Sequence, residues 1–163
     1  MLDLNNLKEQ LQSIFEAANT TTATTYLSSG LETKVQRLLK VNPNRIPVQA
    51  DWYPFVTVFI DSKDIELKDF AVNQVTAKRE GDVSVKVVGA VWNSTIDDAE
   101  VDPADEDCEA LMESVEQVLR QNPTIAGVAT WSYPTKVTYH NMSLDEGVHV
   151  RFGILNLQAT ILY

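Results

Sequence analysis

Two histidines, one cysteine and one acidic run are the residues of this 163-residue sequence whose types could do chemistry. His140 and His149 have no carboxylate at a fixed metal-ligand offset, so a structural or surface role is expected for both, rather than ligation or acid–base work. Cys108 falls on the apolar stripe of a helical pattern with no Cys-His motif around it, and reads as a small core residue rather than a nucleophile. The acidic run Asp97–Asp107 lacks the alternating ligands, central glycine and closing glutamate of a calcium-binding EF-hand loop. Helix capping and a solvated, self-repelling loop account for it. The glycines form no Gly-x-Gly-x-x-Gly, no Gly-Lys-Ser/Thr and no Gly-x-Ser-x-Gly. The expectation is a protein that is not an enzyme and has no cofactor or metal.

Composition points the same way. Hydrophobic residues at 44% and charged residues at 22% are those of an ordinary globular domain, and the length suits one domain, 1–163, with a sizeable core. No apolar stretch reaches the ~18 residues of a membrane span, and the N-terminal Met1-Leu-Asp-Leu-Asn-Asn-Leu-Lys lacks the pattern of a secretory signal. One cysteine excludes an intrachain disulfide and a cysteine-based zinc site. Thirteen basic residues against twenty-three acidic give a net charge of −10, which argues against tight phosphate binding and suits a surface that nucleic acid passes without sticking.

If little here is built to react, the elements themselves carry the information. Leu4, Leu7, Leu11, Ile14, Phe15 and Ala18 lie on one helical face opposite Lys8, Glu9, Gln12 and Glu16, with Asp3 placed to cap the helix. Residues 31–48 fit helix or strand around Val35–Val41, with strand favoured; Asn42-Pro43-Asn44 signals a turn. Trp52–Ile60 is dense in aromatic and β-branched residues and predicts a buried strand bounded by Pro54 and Asp61. A hydrophilic connection, Asp61–Lys68, then leads to a hairpin. One strand takes in Phe70, Val72 and Gln74–Lys78, the turn falls at Arg79-Glu-Gly-Asp82 with Gly81 supplying a positive backbone angle, and Val83–Trp92 returns. Val83, Val85 and Val87 alternate with polar residues, whereas Val88–Trp92 is apolar on both sides and should be covered on both.

Asp102-Pro103 is a cap and first-position pair for a second helix, with Asp105, Glu106 and Asp107 near the positive end of its dipole. Its stripe is Cys108, Leu111, Met112, Val115, Val118 and Leu119, and Asn122-Pro123 ends it. A strand over Gly127–Tyr139, interrupted by Pro134, precedes the longest strand pattern, Gly147–Tyr163. At about 3.4 Å per residue that pattern outruns an ordinary strand, so it is expected to bend or to reach a neighbouring subunit. The sum is an α+β domain: one antiparallel or mixed β-sheet with two amphipathic helices packed against it.

The order of an N-terminal Leu-rich helix, the Tyr53-Pro-Phe-Val-Thr-Val-Phe59 strand with Arg45-Ile-Pro-Val just upstream, a hairpin through Val83–Trp92, an acidic-start helix and a closing strand Val148–Tyr163 resembles the tail terminator (tail completion) proteins of long-tailed bacteriophages. The resemblance implies a structural virion protein. It would form a hexameric homo-oligomeric ring that ends the tail tube and joins the tail to the head connector, located in the tail or neck after assembly in the host cytoplasm. Its implied partners are the tail tube protein and the connector or another neck protein, with DNA passing through without specific binding and no membrane involved. In such a ring, Asp97, Asp98 and Glu100, with the Asp61–Glu66 connection, are candidates for an acidic lumen or rim. The alternatives are another neck protein (head completion or head–tail joining), a free-standing cytoplasmic ligand-binding domain and a diverged small hydrolase. The Thr-rich segment 20–25 has no assigned role.

Overall fold

In the computed structural model the Leu stripe at the N-terminus folds as α1 (Leu4–Ala18), started as expected by Asp3, whose carboxylate accepts from the backbone N–H groups of Asn5 and Asn6. Leu7, Leu11, Phe15 and Ala18 are buried. The structure describes residues 3–19, 35–45, 49–67, 79–93, 103–145 and 148–162. The Thr-rich segment, the expected strand 70–78, the Asp102 cap and the acidic candidates Asp97, Asp98 and Glu100 lie outside them.

Five strands follow: β1 (Arg37–Leu39), β2 (Phe55–Leu67), β3 (Arg79–Asn93), β4 (Trp131–Asp145) and β5 (Val148–Leu162), with α2 (Pro103–Gln121) between β3 and β4. The sheet order is β1-β2-β3-β5-β4, with β1 parallel to β2 and every other pair antiparallel. The fold is α+β, a mixed sheet with both helices packed against it.

Both helices lie on one face. Across the described elements α1 touches β1, β2 and α2, and α2 touches β3, β5 and β4. Between them and the sheet sits the main core, where α1's Leu7, Leu11 and Phe15 and α2's Leu111, Met112, Val115 and Leu119 meet Val56, Val58, Val83, Val85, Val87, Leu155 and Leu157. Gly89 and Gly153 are paired across β3 and β5, and at both the sheet comes so close to α2 that Met112 occupies the space a side chain would need.

Three expectations are corrected. The run 61–66 is no connection: β2 continues through it, past an irregularity between Ile60 and Ser62, to Leu67. Cross-strand hydrogen bonds rather than burial hold Asp61, Ser62, Lys63 and Asp64, which are all exposed. Gly81 makes no turn; it is paired to Ile65 on one side and Ile161 on the other. β5, finally, neither bends away nor needs a second subunit to satisfy its length. It lies between β3 and β4, each as long as itself, and is hydrogen-bonded within the chain on both sides.

Smaller differences concern boundaries. β4 starts at Trp131 instead of Gly127 and absorbs Pro134 at a bulge, as an edge strand can. Of Val88–Trp92, expected to be covered on both sides, all but Trp92 are buried.

Candidate functional site

The close approach of Gly89 and Gly153 to Met112 fixes which way every β3 and β5 residue points, because side chains alternate. Odd-numbered residues of these strands face the helices and even-numbered residues face away. Register then extends the assignment to the neighbours. The face turned away from the helices carries Phe55, Thr57 and Phe59 from β2; Ser84, Lys86, Val88, Ala90 and Trp92 from β3; Val150, Phe152, Ile154, Asn156 and Gln158 from β5; and Trp131, Tyr133, Lys136, His140 and Met142 from β4.

Among the described residues the large apolar side chains left in solvent are Trp92 (39% exposed), Trp131 (55%), Tyr133 (49%), Met142 (46%) and Leu162 (47%), and each of these is on this outer face. Scattered exposed apolar residues need no explanation, whereas those of the described residues share one sheet face.

At the Trp92 end the face is shaped into an open groove of about 480 Å³. Its floor is Phe59, Val88, Phe152 and Ile154, and its walls include His140 and Met142 on one side and Asn42, Pro43 and Tyr53 on the other. A second small core of Phe55, Ala90 and Val150 lies here, packed by Leu39, Trp52, Tyr53 and Phe152. His140 stacks on Phe152 with ring centroids 5.3 Å apart, and Tyr53 tilts against Phe55 at 5.2 Å. Burial pushes the Tyr53 phenol above its ordinary value, so it sits in the groove wall as a neutral hydroxyl.

Thr57 holds the wall in place. Its hydroxyl, fully buried, donates to the Val41 carbonyl and accepts from the Val41 N–H at 3.3 Å, tying the stretch before β2 to the sheet. Replacing Thr57 with valine keeps the shape and removes both bonds. The expected cost is about 1–3 kcal/mol, because the part-buried Val41 carbonyl and N–H both lose this partner. Urea denaturation of the variant against the parent checks this, and an unchanged midpoint would show the two bonds to be idle.

Toward the other end β3 and β5 turn polar on this face, with Tyr133, Trp131 and Leu162 exposed in the same rows. Lys86 and Lys136 share one cross-strand row with Asn156 between them; Ser84 and Gln158 follow, then Asp82 and Thr160. Lys86 pairs with Asp61 at 3.1 Å, and the Thr160 hydroxyl donates to Asp82 at 2.8 Å.

The residues singled out for chemistry are not brought together. His140 is on the outer face, while His149 faces the helix side on the next strand. Among the described residues no group of three or more His, Cys, Asp or Glu is placed to hold a metal ion, and no helix is long and apolar enough to cross a membrane. Asp61 and Asp64 are strand residues, one of them ion-paired.

Cys108 lies under α2 near an ion pair between Arg151 and Asp105 (2.6 Å). Arg151 also donates to Asn141 and sits 5.6 Å over the Tyr139 ring. Burial pushes the thiol up to about 12 against the weaker opposing pull of Arg151, which leaves it a protonated core side chain. Because the folded value is raised, the thiol's contribution to stability is fully present below the unfolded value of about 9 and is lost as pH rises from there through about 12. The expected result is that Ellman's reagent at neutral pH reacts with Cys108 only at the rate at which the fold opens, and rapidly in urea; prompt labelling of the native protein would refute it.

Sequence reasoning passed over the outer face, although a signal was available. Along β5 the even positions run Val150, Phe152, Ile154 and then Asn156, Gln158, Thr160, an apolar row that turns polar halfway, while the odd positions Leu155, Leu157, Ala159 and Ile161 stay apolar and buried. No protein-family model and no curated protein sequence matches the chain.

Proposed function

We propose that this protein is a structural assembly component of a long-tailed bacteriophage, a tail terminator whose copies form a hexameric ring that ends the tail tube and joins it to the head connector. The observation that carries the reading is the outer sheet face, an extensive surface of exposed Trp, Tyr, Met and Leu that a working monomer would have no reason to keep. The length of β5 lends no support, since the chain pairs it on both sides. The element order lends support, with an amphipathic first helix, the long antiparallel pair of β2 and β3 that begins at Phe55, the acidic-start helix and two closing strands around one mixed sheet, although the separate hairpin strand over 70–78 lies outside the described residues. Rings of this kind close when head-to-tail contacts repeat. In such a ring DNA slides past an acidic protein without being held.

Cryo-electron microscopy of intact particles tests the reading. Six copies per tail, seated between tube and connector, is the expected result; a single copy per tail, or absence from the particle, would overturn it. Since assembly can require the tube, purified protein alone does not decide the matter.

A second reading is favoured by one observation. The groove at the Trp92 end has the volume and aromatic lining of a small-molecule site, with Asn42, Asn44 and His140 as its polar groups. A free-standing ligand-binding domain would show a melting temperature that rises on addition of a matching apolar compound, and a chain that stays monomeric with and without it.

A further inference from the structure

We infer that the outer sheet face is where two copies of this chain meet, sheet against sheet, about a two-fold axis that crosses the strands at the row of Ser84, Gln158 and Tyr133. Size, charge and row-by-row chemistry argue for it.

The size is that of a small interface. An axis at the Ser84 row lays rows Glu80 to Val88 of the two copies over each other, and four strands at about 4.8 Å spacing and about 3.4 Å per residue give a footprint on the order of 600 Å². That is about the lower end of the area each partner contributes to a specific protein–protein interface. The composition is that of an interface as well, with Trp131, Tyr133 and Leu162 exposed among polar groups, while Trp92 and Met142 lie outside the contact.

The charge selects a second copy and selects this face. The solvent side of the helix layer carries Glu9, Glu16, Glu106, Asp107, Glu109 and Glu113, so two copies of a chain with net charge −10 repel each other there. The outer face carries both signs, separated along the strands, with Lys86 and Lys136 in one row and Asp82, Asp64 and Glu80 beyond Ser84. Lys86 stands one outward-facing position to one side of Ser84, and Asp82 stands one to the other.

A two-fold axis at the Ser84 row converts that separation into complementarity, because it turns each row over its mirror-numbered row in the other copy. Lys86 comes over the partner's Asp82, and the partner's Lys86 over Asp82. On β4, Lys136 comes over the partner's exposed Trp131, the arrangement of a cation over an indole ring. On β5, Asn156 meets the partner's Thr160, and Ile154, at the border of the groove, receives the partner's exposed Leu162. Gln158 and Tyr133 meet their own copies. Aligned sheets pack about 10 Å apart, a distance that side chains of these lengths span. Such an isologous contact joins two copies and closes no ring; it draws on the same outer face as the tail-terminator reading, so the head-to-tail contacts of a ring would fall on other surfaces, and it does not require that reading.

The experiment is analytical ultracentrifugation of the full chain, with charge-swap variants. The parent is expected to sediment as an even-numbered species that dissociates on dilution. Lys86→Glu and Asp82→Lys, each placing like charges opposite each other twice, should weaken association roughly tenfold or more, and Leu162→Asp likewise. The double variant Lys86→Glu/Asp82→Lys restores opposite charges across the axis and should return to within about threefold of the parent. Within one copy those two side chains are four residues apart along one strand, so rescue reports the second copy rather than the fold. Circular dichroism of each single variant should match the parent, since all three positions have solvent access. A parent that stays monomeric at about 1 mM, single variants that associate as the parent does, or a double variant no better than the singles would each overturn the contact. A six-copy ring indifferent to these substitutions would leave the tail-terminator reading standing and this one refuted; a two-copy particle that responds to them, from a protein absent from phage tails, would do the reverse.

Discussion

Truncating Leu111 to alanine is expected to cost about 2–5 kcal/mol, and Leu11→Ala a similar amount, the range for deleting a fully buried leucine from a core that cannot collapse around the gap. Both side chains are 0% exposed. They come from different helices and enter one cluster, with Leu111 over the Gly89 side of the sheet. Among the described residues no core cluster lies on the far side of either helix. Urea denaturation with the linear extrapolation checks both. Losses under half a kcal/mol for the pair would mean that the helices present other faces to the sheet.

The second large effect comes from adding atoms rather than removing them. A Cβ at position 153 overlaps Met112 Cγ, lies 2.9 Å from its Sδ and 3.3 Å from the Tyr139 ring. Gly153→Ala is therefore expected to destabilise by about 1–3 kcal/mol through overpacking, an effect that outweighs the ~0.4–1 kcal/mol returned by the stiffer unfolded chain. At Gly89 the nearest atom is Met112 Sδ at 2.7 Å, the movable part of that side chain, so Gly89→Ala should cost less. The signature is a double-mutant cycle. Met112→Ala alone opens a cavity, yet combined with Gly153→Ala it makes room for the new methyl, so the pair should cost less than the sum by about 0.5–3 kcal/mol. Additive losses would show that the sheet and α2 do not meet at this point.

Why the helices were legible in the sequence and the sheet's arrangement was not follows from where each kind of information resides. α1 and α2 repeat their apolar residues at helical spacing, and Leu7, Leu11, Phe15, Cys108, Leu111, Met112, Val115 and Leu119 are all buried, as the stripes predicted. Asp3 and Asn122 act where a helix start and stop belong. A strand, by contrast, does not encode its neighbour. β5 reads as overlong only when its partners are unknown; beside β3 and β4 its length is that of the sheet. The hydrophilic run at Asp61 looked like a loop because strand patterns are recognised by burial, and here β2 runs on as a strand through Asp61 to Asp64 with both faces wet. Arg79-Glu-Gly-Asp82 has the residues of a turn but is held in register from both sides, and ladder hydrogen bonds override local turn preference. Gly89 and Gly153 were weighed only as parts of a phosphate loop. Their use, letting a helix approach a sheet, depends on a contact with Met112 that no local spacing announces. The outer face was missed for a related reason. Exposed Trp131 and Tyr133 on an edge strand and Met142 at its other end become one surface only once the register is known.

The place of β5 in the sheet also has a kinetic meaning. It comes last among the described elements, yet it occupies the slot between β3 and β4, pairing Glu80 with Leu162 across the whole of α2 and β4. As the polypeptide leaves the ribosome, the valine-rich edge of β3 has no permanent neighbour until this segment emerges, and a helix and a strand must already be positioned around the vacancy. Closure of that long loop is entropically costly before the contacts that reward it exist, which places the protein among slow, high-contact-order folders. The nascent chain is thus expected to depend on chaperones holding its unfinished sheet. Protease resistance should appear in one late step, when β5 enters, rather than strand by strand.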